Sequence, residues 1–424
     1  MTKFYELSTV ERIDQLRSEG AIDEDDARLC CDEPALPTPI AANMVENQIG
    51  NFPVPLGLAD HFVIDDEALR VPMAVEEPSV IAAAGNAAQR IALSGGFRTS
   101  VRRDGVPAQI VFSACNRADF NRLSNFVSER QDDIRQVAHD SHPSLETHGG
   151  GLRKSGVSWN EEGFAQIDLL IDPGDAMGAN VVNTISEAVA EYCVAQLEGL
   201  DLLMAILSNE AGSQRARSEA RINFDNLLAR DMDGQTVARR IAAAARFAEV
   251  SSQRAATHNK GIMNGINAVV LATGNDTRNM NAAAYADLSA ERRTWTTWSI
   301  DEERRQLIGS IDLPLPLGSV GGAMSTLPMA KLSLKLLHHP DAARLMGIVA
   351  SAGLASNLSA MRALVTKGIQ AGHMNLQFKS LAMSAGAEPD ELDPVVAKLR
   401  TDPARANLSI AQRCLRQLRE NAKQ

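Results

Sequence analysis

The sequence has few of the features that mark metal centres, disulfide-stabilised folds or redox sites. Its 424 residues include five cysteines, and no two of them have the CxxC spacing of a zinc or redox site. Scattered cysteines of this kind are typical of reduced thiols in the cytosol. The adjacent His338 and His339 precede a proline and have no Cys or His nearby, so we interpret them as a surface pair at a helix end. We therefore expect no metal cofactor.

Patterns for nucleic-acid binding and for membranes are also missing. The chain has no run rich in lysine and arginine, and its formal net charge is −11, which argues against nucleic acid as a partner. No segment approaches the roughly 20 apolar residues that span a bilayer. Residues 1–14 are polar and charged, without the apolar core of a signal peptide. These absences predict a cytoplasmic protein that binds neither nucleic acid nor membrane.

One region of the chain alternates between strand and helix patterns. Residues 108–115 and 163–171 have the pattern of strands, and residues 117–139 and 184–197 have that of helices. This order suggests a small split βαβ unit within residues 104–208. No GxGxxG follows a strand, so a Rossmann domain is not expected.

The rest of the chain is mainly helical by pattern, and its length allows two or three domains. We predict an α+β fold in which a large, mainly helical domain comprises residues 1–103 and 209–370. Residues 104–208 form a small domain inserted in it, and residues 371–424 form a helical module at the C-terminus.

The most concentrated chemistry lies in residues 258–266, which run on to Gly274, Asn275 and Asp276. Lys260 has apolar neighbours, and a lysine at the edge of a core either finds an anionic partner or shifts its pKa. Asp276 is the candidate partner. Two interpretations stay open from these residues alone: a site with chemistry, or a buried ion pair that ties a loop to a helix.

Glu77 precedes Pro78, Ser79 and an alanine-rich helical segment over residues 80–93. Proline is favourable at the first helical position, because its missing N–H has no helical partner. Glu77 would then lie at a helix N-terminus, where the helix dipole favours the carboxylate. A helix-capping acid is therefore the interpretation from the residues alone, since a general acid would need a raised pKa.

Five segments together resemble 3-hydroxy-3-methylglutaryl-CoA (HMG-CoA) reductase in its soluble bacterial (class II) form. They occur in the order and at roughly the spacing of that family, so the resemblance extends over nearly the whole chain. The segments are ENQIG (46–50), VEEPS (75–79), DAMGAN (175–180), HNKGIMNGI with ATGND (258–276), and GHM (372–374).

The resemblance implies a substrate-binding and dimerisation domain, an inserted ferredoxin-like domain that binds a nicotinamide dinucleotide, and a mobile C-terminal flap. The implied activity interconverts HMG-CoA and mevalonate plus coenzyme A, by two successive hydride transfers with NAD(P)H. It belongs to the mevalonate pathway, in synthesis or degradation. The alternatives are a catalytically silent CoA-binding paralogue and a CoA-thioester enzyme without redox chemistry.

Four catalytic residues follow from the resemblance: Glu77, Lys260, Asp276 and His373. Lys260 would stabilise the oxyanion, His373 would protonate the coenzyme A thiolate, and Glu77 would donate a proton to the aldehyde oxygen. Asp276 would lie between Lys260 and Glu77, keeping the first charged and the second protonated. Glu77 and Lys260 would come from different subunits, which implies a homodimer and allows a hexamer, a trimer of dimers.

Binding residues are implied in the same way. Those expected to contact the cofactor are Asp175, Met177, Gly178, Asn180, Asn183 and His142. Those expected to contact HMG-CoA or coenzyme A are Ser79, Asn209, Arg254, Asn264, Asn357 and Ala360. From the residues alone, segment 175–180 could equally be an ordinary strand-to-helix loop.

The choice between NADPH and NADH depends on the residue shortly before Gly149–Gly151. NAD-specific relatives place an aspartate there, which accepts hydrogen bonds from the ribose and repels a 2′-phosphate. A gapless reading puts His142 at this position, so NADPH is favoured. A loop shift of two residues would bring in Asp140 and favour NADH.

Overall fold

The computed structural model of the chain describes residues 3–31, 36–147, 149–229, 231–366 and 378–421. Within these residues ten strands form two sheets, as predicted for an α+β protein. The strands are β1 Leu56–Ile64, β2 Glu67–Ala74, β3 Phe97–Arg103, β4 Val106–Ser113, β5 Gly151–Trp159, β6 Ala165–Asp172, β7 Asp201–Leu207, β8 Gln214–Asn223, β9 Thr296–Asp301 and β10 Gln306–Pro314. One sheet has the order β2-β1-β3-β8-β10-β9 and the other the order β5-β6-β4-β7.

Helices cover both sheets and form the two ends of the described chain. They are α1 Thr9–Ser18, α2 Glu24–Cys31, α3 Thr38–Met44, α4 Val80–Ala92, α5 Arg117–Glu129, α6 Gln131–Ser141, α7 Ser144–Thr147, α8 Ala179–Gln196, α9 Gly234–Val250, α10 Ser252–Ala272, α11 Thr277–Ala286, α12 Pro328–Leu336, α13 Ala342–Val365, α14 Leu392–Leu399 and α15 Leu408–Asn421. Residues 378–384 are also helical.

The four-stranded sheet and its helices have the predicted split βαβ order. Each neighbouring pair, β5 with β6, β6 with β4, and β4 with β7, is antiparallel. Helices α5, α6 and α8 pack against this sheet and share its apolar core. The sheet lies wholly within residues 104–208, while the domain boundaries themselves stay a prediction.

Some element boundaries in this region differ from the sequence expectation. Strands β5 and β7 were not predicted, since residues 151–159 carry polar side chains and two glycines. The helix predicted over 117–139 is two helices that meet at Arg130. Helix α8 begins at Ala179, five residues before the predicted start, because Gly178 adopts a left-handed φ of 104° and turns the chain directly into the helix.

The large sheet is covered by the long helices α4, α10 and α13, which share one apolar core with it. Helix α13 is long and apolar enough to cross a membrane by length and composition, and it is the one described helix that passes this test. However, 67% of its most apolar window is buried inside the fold, as expected for a core helix. The apolar stretch of α13 is therefore closer in length to a membrane span than the sequence analysis suggested.

Strands β1 and β2 form an antiparallel hairpin whose register shifts between Ala59 and Phe62. The start of α4 corrects the prediction. Pro78 was predicted as the first helical residue, but Ser79 is the N-cap with φ 80° and α4 begins at Val80. The break between α12 and α13 falls at residues 337–341, since His338 and His339 both adopt positive φ there.

Gly265 lies where α10 crosses α13. A Cβ at this position would be 2.2 Å from the Ser356 hydroxyl oxygen and 2.7 Å from the Ala352 carbonyl oxygen. The glycine is therefore required for close packing of two helices rather than for approach of a ligand. Gly261, one turn earlier on α10, has no atom within 4 Å of a Cβ position.

These two glycines should respond oppositely to the same substitution. Gly265→Ala is expected to lower the free energy of unfolding by about 1–3 kcal/mol, because α10 and α13 must separate to admit the methyl group. Gly261→Ala is expected to raise it by about 0.5–1 kcal/mol, because alanine is the better helix former. Urea unfolding of both variants checks this, and equal effects would show that the crossing is not closely packed.

Candidate active site

Lys260 and Glu77 meet in one exposed cluster on a single chain. The Lys260 ammonium nitrogen lies 2.8 Å from Glu77 Oε2, and the Asn264 side-chain amide donates to the same oxygen at 3.4 Å. Lys260 and Asn264 are four residues apart on α10 and so project from the same face. The two charged side chains remain 60% and 40% exposed. The ion partner of Lys260 is thus Glu77, and the pair is not buried.

This arrangement corrects the expectation that Glu77 and Lys260 come from different subunits. Helices α4 and α10 contact each other over the same sheet. The turn before α4, which carries Glu77, is thereby placed beside the face of α10 that carries Lys260. One chain is sufficient to form the pair.

Asp276 does not lie between Lys260 and Glu77. Its carboxylate caps α11, accepting from the backbone N–H of Arg278 at 2.8 Å and of Asn279 at 3.3 Å, and it pairs with the Arg278 guanidinium at 3.0 Å. Asp276 follows the C-terminal end of α10, whereas Lys260 lies near its start. Twelve residues of helix separate Lys260 from Ala272, about 18 Å along the axis. Within one chain the two groups therefore belong to different sites.

Asp276 instead lines a small cavity of about 70 Å³ between the two sheets. Met177 and Asn209, both predicted to bind ligands, line the same cavity. The Asn209 amide donates to Asn279 Oδ1 at 2.7 Å. The structure thus places Met177, from the segment 175–180 that was predicted to bind the cofactor, in the same cavity as Asp276. Asn279 also lines the cavity and was missed, although its position three residues after Asp276 could have indicated it.

Gln214 is a second cavity residue that the sequence analysis missed. It is the first residue of β8, in a strand that also carries four charged residues and a buried serine, so no local signal marks it. It is 1% exposed.

The segment 174–178 is held against the large sheet by backbone contacts. Arg103 donates to the carbonyl oxygens of Gly174, Ala176 and Leu317. Asp175 accepts from the backbone N–H of Ala342, the first residue of α13, at 3.0 Å. The Asp175 carboxylate therefore anchors the segment here.

Asn275 connects segment 174–178 to the residue that precedes α11, Asp276. The Asn275 side chain is buried and bonds both sides of Gly318, donating to the carbonyl at 3.0 Å and accepting from the N–H at 2.9 Å. A Cβ on Gly318 would be 2.3 Å from the Met177 backbone nitrogen. Asn275 thus fixes the distance between Met177 and the neighbouring Asp276.

The other residues predicted to bind the cofactor differ in their exposure and in their contacts. Asn180 is exposed in the first turn of α8. Asn183 accepts from the backbone N–H of Leu207 at 2.9 Å and so ties α8 to β7. A Cβ on Gly178 would be 2.7 Å from the Pro173 ring, so this glycine is required by the turn itself. His142 ends α6, with Nδ1 3.3 Å from the Ser144 hydroxyl.

Arg254 is a half-buried cation in the first turn of α10. Its guanidinium contacts the Met361 sulfur at 3.7 Å, and no carboxylate of the described residues lies within 4.0 Å of it. Desolvation lowers its pKa from the ordinary value, so an anionic ligand would be favoured there. Ser79 and Ala360 are half-buried.

Asn357 does not reach the surface. It is 1% exposed, accepts from the Trp298 indole N–H at 2.8 Å, and lies 3.1 Å from His258 Nε2. Its surroundings are those of a structural residue, because buried amides need such partners. In this arrangement Asn357 cannot make its predicted contact with coenzyme A.

The buried His258 should make stability depend on pH. Burial, aided by the Arg254 charge, lowers its pKa to about 4. The folded protein keeps this imidazole neutral, while the unfolded chain takes up a proton below about pH 6.5. The free energy of unfolding should therefore fall as the pH drops from about 6.5 towards 4, by about 2 kcal/mol at pH 5.

Urea unfolding of His258→Gln at pH 7 and pH 5 measures this contribution. The variant should lose the histidine-dependent part of the decrease. His61 is exposed, so His61→Gln is the control that should behave as the wild type. An identical pH dependence in His258→Gln and wild type would contradict this origin of the effect.

Comparison with known proteins gives consistent matches along the chain. The sequence profile described as hydroxymethylglutaryl-coenzyme A reductase matches residues 8–378. The 3-hydroxy-3-methylglutaryl-coenzyme A reductase of Archaeoglobus fulgidus is 38% identical over 424 residues, covering 98% of this chain and 94% of its own length. A protein of Borreliella burgdorferi described as a probable enzyme of the same name is 32% identical over 340 residues, covering 80% of this chain and 77% of its own.

Solved structures give the same result. The 3-hydroxy-3-methylglutaryl-coenzyme A reductase of Streptococcus pneumoniae has a TM-score of 0.81 at 36% identity, covering 98% of this chain and 99% of its own. A structure of the class II enzyme from this organism, bound to NADPH in open conformations, has a TM-score of 0.80 at 35% identity. It covers 97% of this chain and 100% of its own.

Proposed function

This chain belongs to the hydroxymethylglutaryl-coenzyme A reductase family, and we propose that it interconverts HMG-CoA and mevalonate plus coenzyme A with NAD(P)H in the cytoplasm. The observation that carries this proposal is the exposed cluster of Lys260, Glu77 and Asn264. It offers a cation and a carboxamide that converge on one oxygen of a carboxylate, within reach of solvent. Such a cluster can bind a carbonyl group whose oxygen becomes negatively charged.

Each residue of the cluster has a role in that chemistry. The dihydronicotinamide, when bound, supplies the hydride for each of the two reductions. The Lys260 ammonium stabilises negative charge on the acyl oxygen of the substrate. Asn264 holds the Glu77 carboxyl in place, and Glu77 returns a proton to the oxygen when the alcohol forms. His373, which lies outside the described residues, is proposed to protonate the leaving thiolate.

The Lys260–Glu77 pair needs a further negative group before it can do acid chemistry. The Lys260 ammonium and the Glu77 carboxylate lie 2.8 Å apart and so form an ion pair without net charge. Acid chemistry at such a pair is favoured by a second carboxylate, because two neighbouring acids can share one proton. We propose that the partner subunit's Asp276 is that group, because the Asp276 of the same chain lies at the other end of α10.

A homodimer with shared active sites therefore follows. Two apolar side chains just after α3 support it, since Ile49 is 104% exposed and Phe52 is 94% exposed. Large apolar side chains that are this exposed on neighbouring residues mark an interaction surface. Both lie in or next to the segment 46–50, which the resemblance places at a subunit interface. A hexamer built as a trimer of dimers is the larger assembly we propose.

The proposed binding residues form two groups, one near each end of α10. Arg254, at the start of the helix, is proposed to hold the coenzyme A phosphates, since its planar guanidinium suits phosphate oxygens and meets no carboxylate among the described residues. Met177, Asn180 and the other residues of α8 and its preceding loop are proposed to hold the dinucleotide. His142 is proposed to lie near the 2′-position of the cofactor and to favour NADPH over NADH. The Streptococcus pneumoniae structure is bound to NADPH.

An assay at the nicotinamide absorbance band tests this function. Purified protein is supplied with HMG-CoA and either NADPH or NADH, and in the reverse direction with mevalonate, coenzyme A and the oxidised cofactor. We expect turnover with both cofactors and a higher kcat/KM with NADPH. If the protein binds coenzyme A but shows turnover with neither NADPH nor NADH, a silent paralogue or a non-redox thioester enzyme would be favoured.

A further inference from the structure

The side-chain amide of Gln214 is buried without a partner. Both its nitrogen and its oxygen are inaccessible to solvent, and neither has a hydrogen-bond partner among the described residues. The backbone of the same residue is satisfied: its N–H donates to the Ala211 carbonyl at 2.8 Å, and its carbonyl accepts from the Leu315 N–H at 2.9 Å. A buried carboxamide left unpaired is unfavourable, so this one is expected to serve a ligand group.

Gln214 lines the cavity that also contains Met177, Asn209 and Asp276. Asn209 and Asn279 bond to each other there, so part of their hydrogen-bonding capacity is used. The Gln214 amide has both its donor and its acceptor unused. Because these two atoms are closed off from the cavity as it stands, the side chain would have to rotate to present its donor and its acceptor there, and together they would match another carboxamide.

The charges around the cavity indicate which end of a ligand fits. Among the described residues the lining includes no lysine or arginine, and its one ionisable side chain is Asp276. Carboxylates and phosphates would be repelled there, which excludes the acid group of HMG-CoA and the phosphates of both ligands. The nicotinamide ring of NADPH is the uncharged end of the dinucleotide that carries a carboxamide, so it is the end that fits beside Met177.

We propose that Gln214 binds the carboxamide of the nicotinamide ring through a donor–acceptor pair and so orients the ring beside Asp276. This assignment rests on the proposed function and adds a positioning residue to it. Gln214 orients the ring and takes no part in proton transfer.

Calorimetric titration of wild type and Gln214→Met with three ligands tests the assignment. The ligands are NADPH, its reduced 3-acetylpyridine analogue, which keeps the carbonyl but lacks the amide N–H, and 2′-phospho-ADP-ribose, which lacks the ring. Wild type is expected to bind NADPH about tenfold more tightly than the analogue, the value of one hydrogen bond. Gln214→Met should bind NADPH about tenfold more weakly and lose this preference. Binding of 2′-phospho-ADP-ribose should stay unchanged.

Two controls separate the contact from a general effect on the fold. Gln306 also has an unpaired buried amide oxygen, but it lies on β10 away from the cavity, so Gln306→Met should bind all three ligands as wild type does. Methionine removes an unpaired polar group from the interior, so Gln214→Met is expected to unfold at the same or a higher temperature than wild type.

The outcomes distinguish this proposal from the proposed function. If Gln214→Met keeps the wild-type preference for NADPH over the analogue, the assignment of Gln214 is overturned while the function stands. If Gln214→Met does not fold, the wild type alone still tests the assignment. Equal affinity of the wild type for NADPH and for the analogue would then overturn it. If wild type binds neither NADPH nor 2′-phospho-ADP-ribose, the proposed function itself fails.

Discussion

Replacing Lys260 with alanine is expected to lower kcat by about 10³-fold, because it removes the group proposed to stabilise the developing oxyanion. The fold should be nearly unaffected. The Lys260–Glu77 pair is 60% and 40% exposed, and exposed ion pairs contribute about 0–1 kcal/mol to stability. Steady-state kinetics with saturating NADPH and HMG-CoA, together with thermal unfolding of the same preparation, measure both quantities.

Lys331 provides the matched control for this substitution. It is an exposed lysine on a helix of the same large region, α12, and it belongs to no proposed site. Lys331→Ala should retain wild-type kcat and stability. If Lys260→Ala kept more than about a tenth of wild-type kcat, the oxyanion role of Lys260 would be excluded.

Asp276→Asn is expected to lower kcat by about 10²-fold without loss of stability. An asparagine oxygen can still cap α11 by accepting from the Arg278 and Asn279 N–H groups, as the carboxylate does. The substitution therefore removes the charge and keeps the cap. Any loss of activity then reports the negative charge that the Lys260–Glu77 pair needs for proton transfer.

Asp233 is a second aspartate that caps a helix, accepting from the Thr236 N–H at 2.9 Å at the start of α9. Asp233→Asn should retain full activity, because this cap belongs to no proposed site. Similar kinetic losses in both variants would indicate that helix capping, and not the Asp276 charge, accounts for the effect. Kinetics and thermal unfolding of the two variants provide the comparison.

The sequence predicted the type of fold because its signals were local. Strands β4 and β6 and helix α4 were predicted within about two residues of their bounds, since periodicity and turn residues determine such elements. Strand β5 was missed because its polar, glycine-containing residues alternate weakly. Helix α8 was started too late because the left-handed conformation of Gly178 is fixed by contact with Pro173, a tertiary constraint.

The candidate site was predicted as a set of residues but not as an arrangement. Lys260, Glu77 and Asp276 were each identified, yet no pattern in the sequence specifies the distances between them. The length of α10 separates Lys260 from Asp276, and the contact between α4 and α10 joins Lys260 to Glu77. Gln214 was not identified at all, because its significance depends on burial and on the cavity beside it.

The sharing of sites between subunits is tested most directly by combining inactive variants. Lys260→Ala and Asp276→Ala are co-expressed with different tags, so that mixed dimers form. If each site takes Lys260 and Glu77 from one chain and the partner's Asp276, one site of each mixed dimer is intact. Random assortment then restores about a quarter of wild-type activity, since half the dimers are mixed and half their sites are complete.

The decisive comparison uses a second pair, Glu77→Ala with Lys260→Ala. These two residues belong to one chain in each site, so every site of every dimer lacks one of them. We expect about a quarter of wild-type activity from the first pair and none from the second. Recovery by the second pair with none by the first would contradict the arrangement, since it would place Glu77 and Lys260 on opposite subunits.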